Sequence, residues 1–213
     1  SAASDVYKRQ KLLLELAEKD KRIKVEKNTV NSGAAVTRNN SLRRVSGQFT
    51  AFIDSDDLWR NDKLEKQLEF MGDDIDFCFT AFRIIRDDGT LLNKIVDSKQ
   101  AGFLTYNDML KKKATLGCST VMLRNAAFND IQMPLIRTGQ DYALWLKILK
   151  TGARAYPLNE VMTYYRIVPN SISRNKIKKA KRQWYIYREI ENLGMLKASY
   201  CFAHYGWRAV FRQ

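Results

Sequence analysis

Histidine occurs once in the 213 residues, as His204, and proline three times. A single imidazole gives little basis for a zinc centre or a Ser-His-Asp triad, and a packing role for it is the plainer one. Cysteine is also scarce. Cys78, Cys118 and Cys201 are widely spaced in apolar settings, which suits free buried thiols in a reducing cytoplasm better than a disulfide framework. No apolar run reaches the roughly 18 residues of a membrane-spanning helix, so none is expected. The first ten residues lack an apolar core segment, so no signal peptide is expected there. Acids are the minority charge: 23 Asp and Glu stand against 37 Lys and Arg, a net +14. That excess predicts attraction to polyanions, whether nucleic acid, anionic lipid or phosphorylated substrates, without choosing among them.

What is present alternates between strand and helix patterns. Residues 1–10 stand apart from this pattern. A helix is expected from about Lys11, with Leu12, Leu13, Leu16 and Ala17 at helical spacing. Arg22–Val25 reads as a short strand, 28–33 as a loop, and Ala34–Ser46 as a helix closed by Gly47. Phe49–Ile53 reads as a central strand. Asp57 or Ser55 is placed to cap a helix over Leu58–Met71, with Leu64, Leu68 and Met71 on its apolar face. Ile75–Ile85 and Leu91–Val96 form a hairpin about Asp87-Asp88-Gly89. A short helix over Tyr106–Lys112, a strand over Cys118–Leu123, an apolar helix over Tyr142–Lys150 and a strand over Val161–Ile167 complete the pattern. Pro169-Asn170-Ser171 marks a boundary, beyond which ten Lys and Arg face two acids among aromatics such as Trp184, Tyr200 and Trp207. The alternation argues for an α/β fold with a mainly parallel sheet, whose ligands sit beyond the carboxyl ends of the strands.

Asp54-Ser55-Asp56-Asp57 lies at such an end. In extended backbone Asp54 and Asp56 point to the same side. One carboxylate can reach a hard divalent cation that also binds substrate phosphates, while the other holds a ribose hydroxyl. Helix capping accounts for one such residue, not for four in a row. Asn31-Ser32-Gly33 and Arg38-Asn39 read, by themselves, as a turn and an exposed helical arginine. Gly33 can bring backbone close to a ligand and Arg38 can pair with a phosphate. Asp141 falls at a helix start, where the dipole keeps a carboxylate ionised as a base requires, or where it simply caps. The basic, aromatic tail suits a membrane surface, single-stranded nucleic acid, or a solvated face packed on the main domain.

Taken together, these residues resemble the family 2 glycosyltransferases of the GT-A fold, closest to bacterial surface-polysaccharide enzymes of the teichuronic acid type. The resemblance rests on Asn31-Ser32-Gly33 leading to Arg38-Asn39, on Gly47, on Phe52 through Trp59, and on Lys63-Leu64-Glu65-Lys66-Gln67. Cys118 through Met122, Gln140 through Lys147, and Tyr165-Arg166 complete it. It implies an α/β, Rossmann-like nucleotide-diphospho-sugar transferase domain over 11–168, with basic helices over 169–213. It further implies a metal-dependent, inverting hexosyl transfer from a nucleotide sugar, with UDP the expected carrier, to a saccharide or lipid-linked acceptor. Asp56 with Asp54 would hold the manganese or magnesium ion. Asn31, Gly33, Arg38, Asn39, Asp54 and Ser55 would bind the donor, and Asp141 would be the catalytic base.

Thr37 and Gln140 stand where the family commonly has Ala and Glu. The family's opening strands are not matched, and residues 1–10 read as a truncation scar or artefact in their place. The expectation is a fragment that binds donor weakly and does not turn over alone, with unpaired groups on the remaining strands. A cytoplasmic protein that contacts the anionic inner membrane face peripherally is expected. A non-catalytic accessory domain and a basic nucleic-acid module are the competing readings; the acid cluster argues against nucleic acid, since it repels phosphates unless metal is present.

Overall fold

The computed structural model describes residues 2–167 and 176–211. The expected boundary at 169–171 lies outside the described residues. In chain order the elements are α1 (Ala2–Lys19), α2 (Gly33–Leu42), β1 (Phe49–Ala51), β2 (Leu58–Trp59) and α3 (Lys63–Met71). Next come β3 (Phe77–Arg86), β4 (Leu91–Val96), α4 (Tyr106–Leu110), a 3-10 turn (Cys118–Thr120) and β5 (Val121–Arg124). The last are α5 (Gln140–Lys150), β6 (Tyr156–Ile167), α6 (Lys176–Tyr185), a π-turn (Ile186–Ile190) and α7 (Met195–Phe211).

The fold is mixed α/β, as expected, but its sheet is mostly antiparallel. The strand order is β1-β5-β3-β6-β2, with β4 on β3. Only β3 and β6 run parallel. The other four pairings are antiparallel. β1 is not central: among the described residues it pairs only with β5, and a continuous apolar run does not by itself distinguish an edge strand from an inner one.

Three other expectations shift for identifiable reasons. Arg22–Val25 forms no strand, because its alternation finds no neighbour to complete a ladder. Residues 118–120 wind into a 3-10 turn before β5 begins. The helix expected from Leu58 starts at Lys63, since Leu58 and Trp59 pair instead with Tyr164 and Thr163 of β6. That delay also moves the buried face of α3. Lys63, Gln67 and Met71 turn inward, while Leu64 and Leu68 remain 43% exposed.

Trp145, fully buried on α5, centres the core. Its ring meets Phe52 and Phe77 at 5.5 Å, and its Nε1–H donates to the Leu116 carbonyl at 3.1 Å. Burying a large side chain of this kind contributes about 1.5–3 kcal/mol. The C-terminal helices share that core through Ile186, Tyr187, Leu193, Ala198 and Cys201. The three cysteines are free and buried, as expected. On α1, by contrast, Leu12, Leu13, Leu14 and Leu16 stay exposed. Among the described residues, no helix is long and apolar enough to cross a membrane.

Candidate active site

The acid run leaves β1 as an irregular loop whose shape is fixed by Ser119 and Arg166. The Asp54 backbone N–H donates to Ser119 Oγ at 3.0 Å. The Ser119 hydroxyl in turn donates to Asp57 Oδ2 at 2.6 Å, and the Arg166 backbone N–H donates to Asp57 Oδ1 at 2.9 Å. The Arg166 side chain reaches the other way: its Nε–H donates to the Asp56 carbonyl at 2.8 Å. The Ser119 carbonyl is held as well, accepting from Trp59 Nε1 at 2.7 Å and Thr163 Oγ1 at 3.1 Å.

The three aspartates therefore differ in environment. Asp57 is buried, and burial pushes its pKa up to about 6 despite the opposing bonds from Ser119 and Arg166, with the like charges of Asp54 and Asp56 adding to the rise. Asp57 is thus neither the helix cap expected of it nor exposed to ligand. Asp54 is half-buried and pairs with the Arg38 guanidinium. Asp56 is exposed, and among the described residues no side chain engages its carboxylate.

Asp141 arrives from a distant part of the chain. Gly139, at φ +78°, makes the left-handed turn into α5, and Asp141 occupies the first turn of that helix. Its convergence with the acid run is legible in Tyr165. Burial first, then the charges of Asp57, Asp141, Asp54 and Asp56, push that phenol up to about 12. Arg38 feels the same field. Burial opposes its charge, but Cys118, Asp54 and Asp141 outweigh that and leave its pKa raised.

The remaining expected residues separate. Asn31 and Gly33 lie in the exposed turn that opens α2, where Asn31 Oδ1 accepts the Gly33 N–H at 3.3 Å. Ser55 is exposed beside the acids. Asn39 is buried and its amide forms a clamp: Nδ2 donates to the Met133 carbonyl at 2.8 Å and Oδ1 accepts the Met133 N–H at 2.7 Å. Both of its polar atoms are thereby occupied within the protein. The sequence alone assigns Ser119, Tyr165 and Arg166 no individual role. Their only signal was membership of the Cys118–Met122 and Tyr165-Arg166 segments.

A family model supplies the class for this arrangement. Residues 6–132 match the model of glycosyl transferase family 2, and the chain belongs to that family. The match begins inside the first ten residues that the sequence sets apart. The chain is 50% identical over 192 residues to the Bacillus subtilis (strain 168) glycosyltransferase TuaG, named for teichuronic acid biosynthesis, covering 90% of this chain and 75% of that one. It is 39% identical to the Escherichia coli enzyme WfgD, named a UDP-Glc:α-D-GlcNAc-diphosphoundecaprenol β-1,3-glucosyltransferase, covering 78% of this chain and 64% of that one. The fold is similar to the crystal structure of S. aureus TarS residues 1–349, with a TM-score of 0.65 at 21% identity over 93% of this chain and 59% of that one.

Proposed function

We propose that this protein transfers a sugar from a nucleotide diphosphate, UDP being the carrier its relatives suggest, to a lipid-linked saccharide in surface-polysaccharide synthesis, with inversion at the anomeric carbon. The observation that carries the reading is that Asp141, far along the chain, shares the electrostatic surroundings of the acid run: with Asp54 it acts on Arg38, which pairs with Asp54, and with Asp54 and Asp56 it acts on the Tyr165 phenol. The names of TuaG and WfgD supply the substrate classes.

In this reading Asp54, paired with Arg38, accepts a hydrogen bond from a ribose hydroxyl, with the exposed Ser55 beside it; Asn31 and Gly33, in the exposed turn that opens α2, are proposed donor contacts as well. Asp56 offers the carboxylate for a hard divalent cation. Among the described residues, no set of three or more His, Cys, Asp and Glu side chains could hold a metal alone. The donor set fits magnesium or manganese, which need only one or two carboxylates beside substrate phosphates and water. When bound, such an ion would offset negative charge on the departing diphosphate. Asp141 takes the proton from the acceptor hydroxyl, whose oxygen attacks the anomeric carbon on the face opposite the leaving group. Asp57, Ser119 and Arg166 keep the acid loop in shape without touching substrate.

Peripheral membrane contact is part of the same proposal. Its support is the exposed face of α7, where Leu196, Tyr200, Trp207 and Phe211 recur, with Lys111 Nζ 5.5 Å from the centre of the Tyr200 ring. Transfer of radiolabelled glucose from UDP-glucose into a lipid-extractable product tests the reading in the full-length protein. Asp141→Asn is expected to lower turnover roughly 10²–10⁴-fold, the range of a lost general base. Undiminished transfer by that variant would defeat it.

A further inference from the structure

A groove of about 1320 Å³ runs between the β3–β4 hairpin side of the molecule and the C-terminal helices. One wall carries Lys94, Lys99 and Lys112; the other carries Lys176, Lys179, Arg182 and Arg208. Its one carboxylate, Asp97, is turned to the backbone, accepting from Thr115 N–H at 2.9 Å and Leu116 N–H at 3.1 Å. The charge lining the groove is thus predominantly positive. Lys179 registers this: burial first, then the like charge of Arg182, lower its pKa. The Arg182 Nε is buried with no hydrogen-bond partner.

The groove also reaches the catalytic helix from both walls. Gly139 sits against Arg182 so closely that an added Cβ would lie 3.1 Å from its Cδ. From the other side, Lys112 Nζ stands 3.6 Å from the centre of the Tyr142 ring. Gly139 and Tyr142 both belong to the opening turn of α5, the helix that carries Asp141, so cations from both walls of the groove touch that helix. An anion seated among these cations would hold the molecule that carries it against the helix that bears the candidate base.

We propose that this groove is the acceptor subsite and that it binds the diphosphate of a lipid-linked saccharide. The inference rests on the function proposed above and adds the group by which the acceptor is recognised. A diphosphate diester carries two negative charges on rotatable oxygens, which suits several lysines and a guanidinium lining a long trough. The donor's diphosphate is assigned to the acid loop and its cation, a separate place of opposite charge. The two sites thus sort two diphosphates by whether metal accompanies them.

Calorimetric titration of the full-length protein with inorganic pyrophosphate in EDTA tests the groove alone. Saturable binding of one equivalent is expected, weakened roughly tenfold or more in Lys179→Glu/Arg208→Glu. Lys179→Gln/Arg208→Gln, a milder pair, is expected to weaken it in the same direction. Lys21→Glu/Lys24→Glu, outside the groove, is expected to leave it unchanged. UDP with manganese, titrated into the same variants, is expected to bind as in the wild type. Loss of UDP–manganese binding in the wild type itself would defeat the donor assignment and leave the groove result standing on its own. Absent pyrophosphate binding, or equal weakening by the groove pair and the outside pair, would overturn the subsite. Binding to phosphatidylglycerol vesicles without binding of pyrophosphate would overturn it too, marking the patch as membrane-facing.

Discussion

Asp57 differs from the two other aspartates of its run because its carboxylate is enclosed by protein rather than offered to solvent. Burial raises its folded pKa to about 6 from an ordinary 3.8. A raised carboxylate binds its proton more tightly in the folded state. Its contribution to stability is therefore full below about pH 3.8 and is lost as pH rises through about 6. Asp57→Asn removes this dependence. Thermal melts should show the wild type losing stability relative to the variant across that window, and parallel pH curves would contradict the burial argument. Lys63 gives the opposite sign. It is fully buried, donates to Gln67 Oε1 and lies 4.2 Å from the centre of the Trp59 ring. Burial lowers its pKa to about 8 from 10.5. Between those values the unfolded chain holds the proton and the folded chain does not, so stability rises with pH from about 8 to 10.5. Lys63→Met should flatten that rise in denaturant titrations at pH 8 and pH 10.

At the scale of elements, the junction of α5 and α6 matters most. Gly139 must hold φ +78° and must leave room for Arg182 Cδ and Ile186 Cδ1, which would meet an added Cβ at 3.1 and 3.2 Å. Gly139→Ala combines left-handed strain with crowding and is expected to cost about 1–3 kcal/mol in chemical denaturation. It should also lower transfer activity, because Asp141 lies two residues on. A second element carries the membrane proposal. Trp207 is 65% exposed and Leu196 90% exposed on α7. Trp207→Ser with Leu196→Ser should reduce co-sedimentation with anionic vesicles while leaving the melting temperature unchanged. Equal sedimentation of variant and wild type would remove α7 from that role.

At the scale of the molecule, what was legible in the sequence was local. The hairpin around Asp87-Asp88-Gly89, the α5 helix with Asp141 in its first turn, and the acid run at the end of β1 each come from turn chemistry, periodicity or charge over a few residues. Strand direction and order were not legible, because pairing partners lie far apart: β1 meets β5 through Ala51 and Met122. The inward face of α3 departs from its apolar periodicity for a related reason. Lys63 and Gln67 are polar residues that bury by bonding each other and the Thr120 carbonyl, a contact 53 residues away. Still longer separations, 62 and 109 residues from Asp57, hide Ser119 and Arg166, whose part in the site exists only once β5 and β6 bring them to the acid loop. The basic groove was visible as a run of charge in the tail, but not as a site, since its other wall comes from 94–112.

The central claim is that the acid run holds the donor and its cation while Asp141 acts on the acceptor. Calorimetric titration of UDP with manganese into the full-length wild type, Asp56→Ala and Asp141→Asn tests it most directly. The account predicts that binding heat disappears in Asp56→Ala and persists in Asp141→Asn. Full binding by Asp56→Ala, or loss of binding in Asp141→Asn alone, would contradict it.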